Sequence, residues 1–192
     1  MNTPDLVLYL GGTRSGKSER AEAEAGQLEG PILYVATAEP LPDDPAMQER
    51  IRRHRARRPS CWQTLECPLH LAEHIAPFLE DRSREKRPRP AGVLLDCVTL
   101  WVSNILFSLP DPGNLQAFEA AVTREVEALL ALAERSSCRW IVVSGETGLG
   151  GIAADTLTRN FADGLGLANQ LLAARARKAF LVVAGRLLEL AP

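Results

Sequence analysis

The chain has 192 residues, 46% hydrophobic and 24% charged, the makeup of a globular protein long enough to bury one full α/β core. Its formal net charge of −2 excludes a general attraction to nucleic acid or anionic membrane, and no apolar run approaches the roughly 20 residues that cross a bilayer. No basic segment followed by a long apolar one precedes the first strand-like run. The expectation is a cytoplasmic protein without a signal peptide, with Cys61, Cys67, Cys97 and Cys138 reduced.

Residues 6–10, Leu-Val-Leu-Tyr-Leu, predict a buried strand. Directly after it stands Gly11-Gly12-Thr13-Arg14-Ser15-Gly16-Lys17-Ser18, the pattern G-x-x-x-x-G-K-S, and the stretch 17–28 predicts a helix. Strand, glycine-rich loop and helix N-terminus form a phosphate cradle, or P-loop. Gly11 and Gly16 permit the tight turn that brings backbone N–H groups close to phosphate oxygens. Lys17 can reach the β- and γ-phosphates, and the Ser18 hydroxyl can ligate Mg²⁺.

Further apolar runs at 32–36, 92–96, 140–144 and 180–184 are near-continuous, as in a parallel sheet covered on both faces, and a short strand fits around 62–66. Helical patterns at 44–57, 69–81, 98–108, 114–135 and 155–177 alternate with them. That rhythm predicts a doubly wound, mostly parallel α/β sheet flanked by helices, a single P-loop NTPase-type domain over residues 1–192. Segment 82–91 reads as an exposed basic loop, and Pro110-Asp111-Pro112-Gly113 breaks the chain between two helices; no internal repeat is present.

Asp96 ends the strand 92–96, where a P-loop fold places its second Mg²⁺ contact; the alternative is an N-cap for the helix that follows. Six arginines crowd residues 50–58, either as a solvated helix face or as an anion site, with His54 at their centre. Neighbouring guanidinium charges disfavour imidazolium, so His54 is expected to be neutral near pH 7. A neutral imidazole is a competent nucleophile toward phosphorus, and the arginines would neutralise the transition state and a departing pyrophosphate. Glu66 could meet a metal or a ribose hydroxyl, or simply solvent. Glu146 stands in the glycine-rich stretch 144–151 after a buried strand, and Asn169-Gln170 reads as a cap or a core polar pair. Cys61, Cys67, His70 and His74 have spacing too wide for a usual zinc knuckle, so two half-buried thiols and two surface histidines are the favoured reading.

In this order the segments resemble the bifunctional adenosylcobinamide kinase / adenosylcobinamide-phosphate guanylyltransferase family of cobalamin biosynthesis. The matching stretches are residues 11–18 with Ala21-Glu22, Tyr34 to Ala38, Met47 with Arg50-Ile51 and His54, Arg58-Pro59 and Trp62-Gln63-Thr64. They continue through 95–104, Glu146 with Gly148-Leu149-Gly150, then Arg159, Phe161, Asp163, Gly166 and Asn169-Gln170. The resemblance implies a two-step enzyme. A nucleoside triphosphate, ATP or GTP, phosphorylates the aminopropanol hydroxyl of adenosylcobinamide. GMP from GTP then passes through a guanylylated histidine to that phosphate. His54 matches the family's GMP carrier, with Lys17 as the other catalytic residue. The nucleotide contacts implied are Gly11 to Ser18, Thr37, Ala38, Glu39, Arg55, Ala56, Arg57, Arg58, Glu66 and Asp96, with Ser18 and Asp96 on Mg²⁺. The expected partners are a corrinoid and two further copies of the chain in a homotrimer.

The sequence departs from the family pattern in two places. The loop before His54 is two residues longer, with Pro42 and Pro45 inserted and Ala46 in place of a common Glu. Gly145 and Thr147 replace Asn and Val, and Ile152-Ala153-Ala154 replaces Val-Pro-Glu; at these positions contacts to the corrinoid or a second nucleotide would differ. Two rivals are a P-loop kinase for another small molecule and a nucleotide-gated module holding nucleic-acid phosphates on the arginine helix. The first has no use for His54. The second sits poorly with the near-neutral charge and with Trp62 as the one aromatic close to the cluster.

Overall fold

The computed structural model describes residues 3–38, 48–49, 51–52, 55–56, 58–80 and 88–191. In chain order its elements are β1 (Leu6–Gly11), α1 (Lys17–Ala25), β2 (Ile32–Ala36), β3 (Gln63–Glu66), α2 (Leu71–Glu80), β4 (Gly92–Asp96) and α3 (Val98–Ser108). There follow α4 (Leu115–Arg135), β5 (Arg139–Gly145), a 3₁₀ turn at Gly148–Gly150, α5 (Thr156–Arg175), β6 (Lys178–Val183) and β7 (Arg186–Leu190). Of the helix expected over 44–57, residues 48, 49, 51, 52, 55 and 56 are described, and they are helical. Most of the basic loop lies outside the described residues.

The described strands form one sheet in the order β3-β2-β4-β5-β1-β6-β7, parallel throughout except for the antiparallel pair β6–β7. Strands β1 and β2 are buried at every position, which explains why the apolar runs do not alternate: both faces are covered. Side-chain alternation divides the core in two. Leu6, Leu8, Leu33, Val35, Val93, Leu95, Trp140 and Val142 pack with residues of α2, α3, α4 and α5. On the other face Val7, Tyr9, Tyr34, Leu94, Ile141 and Val143 pack with Ala21 and Ala25 of α1. The helices start where local chemistry prescribes, since Asn114 accepts from the Ala117 amide and Asp155 from the Thr158 amide, each as an N-cap.

Two features at the C-terminal end differ from expectation. The last parallel strand runs from Lys178 to Val183 rather than 180–184, because Val7 of β1 pairs with Lys178. A seventh strand, β7, follows a two-residue turn at Ala184 and Gly185, both with positive φ (48° and 74°). That geometry suits a hairpin, but Ala-Gly lacks the Asn-Gly or Asp-Gly signature that announces one, and every residue of β7 is exposed.

Candidate functional site

The site lies at the carboxyl ends of the parallel strands, where connections of opposite direction leave a crevice. β1 delivers Gly11 there with no room for a side chain: a Cβ would stand 2.6 Å from both the Ser15 Oγ and the Val182 carbonyl oxygen. Gly16, with φ of 95°, is the N-cap of α1, a conformation that glycine adopts without strain. The first-turn N–H groups of α1 have no intrahelical partner and carry the positive end of the helix dipole. Lys17 Nζ crosses the loop to donate to the Gly12 carbonyl at 3.0 Å. From outside, the β6–β7 turn fastens the loop: the Gly185 amide donates to the Ser15 carbonyl at 2.7 Å, and Arg20 Nε donates to the Gly185 carbonyl at 2.9 Å.

The second part comes from β2 and β4. Their register pairs Ala36 with Asp96 and Tyr34 with Leu94, so Tyr34 and Asp96 project on the face that carries α1. Ser18 Oγ donates to Asp96 Oδ1 at 3.4 Å, and the Tyr34 hydroxyl donates to Oδ2 at 2.8 Å. Burial and the adjacent Asp96 carboxylate hold the Tyr34 phenol well above its usual range, so it stays a donor. The N-cap alternative for Asp96 is overturned: the N-cap of α3 is Cys97, and the Asp96 carboxylate is spent on Ser18 and Tyr34. Two hard oxygen donors within reach of a phosphate loop fit Mg²⁺, which is commonly held by one or two such groups plus substrate phosphates.

β5 completes the floor. The Gly145 amide donates to Thr99 Oγ1 at 2.7 Å, and a Cβ at Gly145 would stand 2.6 Å from that oxygen, so glycine suits this position. Buried Asn169 holds the strand end, donating through Nδ2 to the Gly145 carbonyl at 3.0 Å while Ser144 Oγ donates to its Oδ1 at 2.6 Å. Of Asn169-Gln170, read as a cap or a core polar pair, Asn169 alone is a core polar residue, partnered by Ser144, while Gln170 is exposed. Arg55 pairs with Glu66, and the Arg58 guanidinium lies over the Tyr34 ring, 3.6 Å from its centroid.

These parts enclose a cavity of about 510 Å³. Of the expected site residues, Gly11, Gly12, Thr13, Lys17, Ser18, Ala38, Arg55, Arg58, Glu66 and Asp96 line it; Arg14, Ser15, Gly16, Thr37 and Ala56 do not. Thr37 is fully buried. Its hydroxyl donates to the Cys97 carbonyl at 2.7 Å and accepts from the Cys97 amide at 2.9 Å, so it braces the end of β4 from behind. Glu39, His54 and Arg57 lie outside the described residues. Tyr34, Cys97, Thr99 and Leu100, which sequence reasoning placed in stretches matching the family without giving them a site role, also line the cavity, as do Arg52 of the six-arginine segment offered as an anion site and Gln48, which was not named. For Tyr34 a signal existed: it is the one hydroxyl-bearing residue inside the apolar run 32–36.

The zinc constellation does not assemble. Among the described residues no group of three or more His, Cys, Asp or Glu side chains is placed to hold a metal ion. Cys67 Sγ donates to the Leu69 carbonyl, His70 Nδ1 meets Glu125, and His74 Nδ1 meets the His70 carbonyl. Of the two thiols, Cys61 is exposed and Cys67 buried rather than both half-buried. Burial pushes the thiols of Cys67 and Cys97 up to about 11 and raises that of Cys138. Since the thiolate is the reactive form, iodoacetamide at pH 8 is expected to alkylate Cys61 alone in the folded chain, with the raised thiols reacting only as pH climbs toward 11 or on unfolding. Peptide mass mapping checks this; prompt alkylation of Cys97 at pH 8 would contradict the burial described.

A family profile described as cobinamide kinase / cobinamide phosphate guanyltransferase matches residues 7–190. The chain belongs to the cobinamide kinase / cobinamide phosphate guanyltransferase family. Among curated members, the bifunctional adenosylcobalamin biosynthesis protein CobU of Escherichia coli K12 is 39% identical over 185 residues, covering 94% of this chain and 96% of that protein. CobU of Salmonella typhimurium LT2 is 38% identical over the same shares, and CobP of Pseudomonas aeruginosa PAO1 is 40% identical over 178 residues, 93% and 92% of the two chains. No helix among the described residues is long and apolar enough to cross a membrane.

Proposed function

We propose that this chain phosphorylates adenosylcobinamide with a nucleoside triphosphate and then transfers GMP from GTP, through His54, to adenosylcobinamide phosphate, giving adenosylcobinamide-GDP and pyrophosphate. The observation that carries the reading is one cavity lined both by Lys17, Ser18 and Asp96 and by Arg52, Arg55 and Arg58. Family membership supports the substrates.

In the first step the amides of the Gly12–Ser18 loop and the N-terminus of α1 hold the triphosphate, and Lys17 neutralises charge as it moves onto the leaving phosphates. Ser18 and Asp96 would hold Mg²⁺; when bound it neutralises phosphate charge and keeps the phosphate chain oriented. In the second step a His54 ring nitrogen attacks the α-phosphorus of GTP. A P–N bond forms, the bond to the β-phosphate oxygen breaks, pyrophosphate leaves, and the other ring nitrogen gives up its proton. A phosphate oxygen of adenosylcobinamide phosphate then attacks the same phosphorus, breaking P–N and forming the diphosphate while the imidazole takes back a proton and leaves neutral. Arg52, Arg55 and Arg58 serve both displacements by offsetting the negative charge gathered around phosphorus.

The single sheet spanning Leu6 to Leu190 supports one catalytic domain. A contact between copies of the chain, in a homotrimer as the family resemblance implies, is supported by apolar side chains exposed on the β6–β7 hairpin, Val183, Leu187 and Leu188 among them. Four cysteines with no disulfide support a cytoplasmic setting.

Incubation with Mg²⁺ and GTP labelled at the α-phosphate is expected to leave GMP bound to the chain in a linkage stable to alkali and lost in acid. Added adenosylcobinamide phosphate should discharge it. Label that follows the γ-phosphate instead, or an adduct that the acceptor does not discharge, would overturn the transfer.

A further inference from the structure

Tyr34 occupies the middle of the site, yet it is 1% exposed, and the two steps above give it no chemistry. Its two ends have different work. The hydroxyl donates to Asp96 Oδ2 at 2.8 Å, leaving Oδ1 toward Ser18 Oγ at 3.4 Å. The ring carries the Arg58 guanidinium on its face, 3.6 Å from the centroid, and Trp62 packs with the ring at 6.3 Å with an interplanar angle of 27°. Arg58 Nε is buried and has no hydrogen-bond partner among the described residues, so the aromatic face is what that end of the guanidinium rests on.

We propose that Tyr34 is a positioning residue that sets the Asp96 carboxylate with its hydroxyl and seats the Arg58 guanidinium with its ring. The inference rests on the function proposed above and names the part that joins its two halves. β2 is flanked by β3 and β4 and buried at every position, so the ring has little freedom to swing. The parallel register places Tyr34 one side-chain step below the row of Ala36 and Asp96, within phenol reach of the carboxylate on the neighbouring strand. A carboxylate that could rotate freely would present either oxygen toward Ser18. With Oδ2 held by the phenol, Oδ1 faces the Ser18 hydroxyl, the side on which a metal ion would meet it. On the other side, a guanidinium held against an aromatic face spends none of its N–H donors on that contact.

The test uses two near-isosteric replacements in the full chain: Tyr34→Phe, which removes only the hydroxyl, and pentafluorophenylalanine at position 34, which also reverses the charge distribution of the ring. Mn²⁺ affinity is read by electron paramagnetic resonance of the free ion, with a non-hydrolysable GTP analogue bound, and analogue affinity is then read at saturating Mn²⁺. Tyr34→Phe should weaken Mn²⁺ by about tenfold, the usual scale for losing a partner of a metal ligand, and leave analogue affinity at saturating Mn²⁺ little changed. The fluorinated variant should weaken Mn²⁺ equally and in addition weaken the analogue by about tenfold as Arg58 loses its seat. A purely structural role would lower the melting temperature of both and move neither affinity. Unchanged Mn²⁺ binding by the folded Tyr34→Phe protein overturns the carboxylate half, and equal analogue affinity in the two variants overturns the arginine half. Neither readout needs turnover. A wild-type chain that binds metal and analogue as described but never forms a GMP adduct would therefore sink the function and leave Tyr34's role standing.

Discussion

His54→Ala is expected to leave the chain unable to hold GMP covalently and to cut guanylyl transfer by about 10⁴-fold or more, the scale of losing a covalent nucleophile. The prediction is sharp because the cavity offers few substitutes. Cys97 lines it, but burial and the Asp96 charge push its thiol up to about 11, so it is protonated and weakly nucleophilic near neutrality. Lys17 also lines it, engaged with the Gly12 carbonyl. A lysine adduct would share the acid-labile, alkali-stable character of a histidine adduct, so the linkage test alone does not separate the two. The variant does. Label that persists in His54→Ala and disappears in Lys17→Ala would move the GMP carrier to the lysine and refute the histidine assignment. A cooperative melting transition for the variant shows that lost label reports chemistry rather than unfolding.

Lys17→Ala is expected to lower kcat/KM for phosphorylation by roughly 10² to 10³-fold, the range found when one preorganised charge-stabilising group is removed. The strand before the loop is buried to its last residue and α1 begins at Lys17, so the backbone cradle should persist without the side chain. The loss then falls on charge neutralisation as the γ-phosphoryl group departs. Lys17→Arg should rescue little, because a planar fork is bulkier than a compact ammonium and the Gly12 carbonyl already sits 3.0 Å from Nζ. Steady-state kinetics with varied nucleotide, together with nucleotide affinity by calorimetry, decide the matter. Unchanged turnover and affinity would remove the phosphate-cradle role from residues 11–18.

What local order in the sequence could specify, it specified well. The run 6–10 followed by G-x-x-x-x-G-K-S contains a buried strand, an obligatory glycine turn and a helix start within neighbouring residues, so no distant contact is needed to read it. Asp96 at the end of an apolar run belongs to the same class, although only the fold removed its N-cap alternative: the bond from Tyr34, 62 positions away, shows where the carboxylate points. Gly145 is similar, because the Thr99 hydroxyl that would crowd a Cβ there comes from another element.

By itself, then, the amino-acid order determined the parallel α/β class, the phosphate loop and the arginine-rich segment, since periodicity, glycine placement and charge density are properties of adjacent residues. Strand order, the β6–β7 hairpin that braces the loop and the Tyr34 array were decided only in three dimensions. Pairing register and side-chain reach depend on partners dozens or more positions apart, and no local pattern records which of many equally apolar strands will lie side by side.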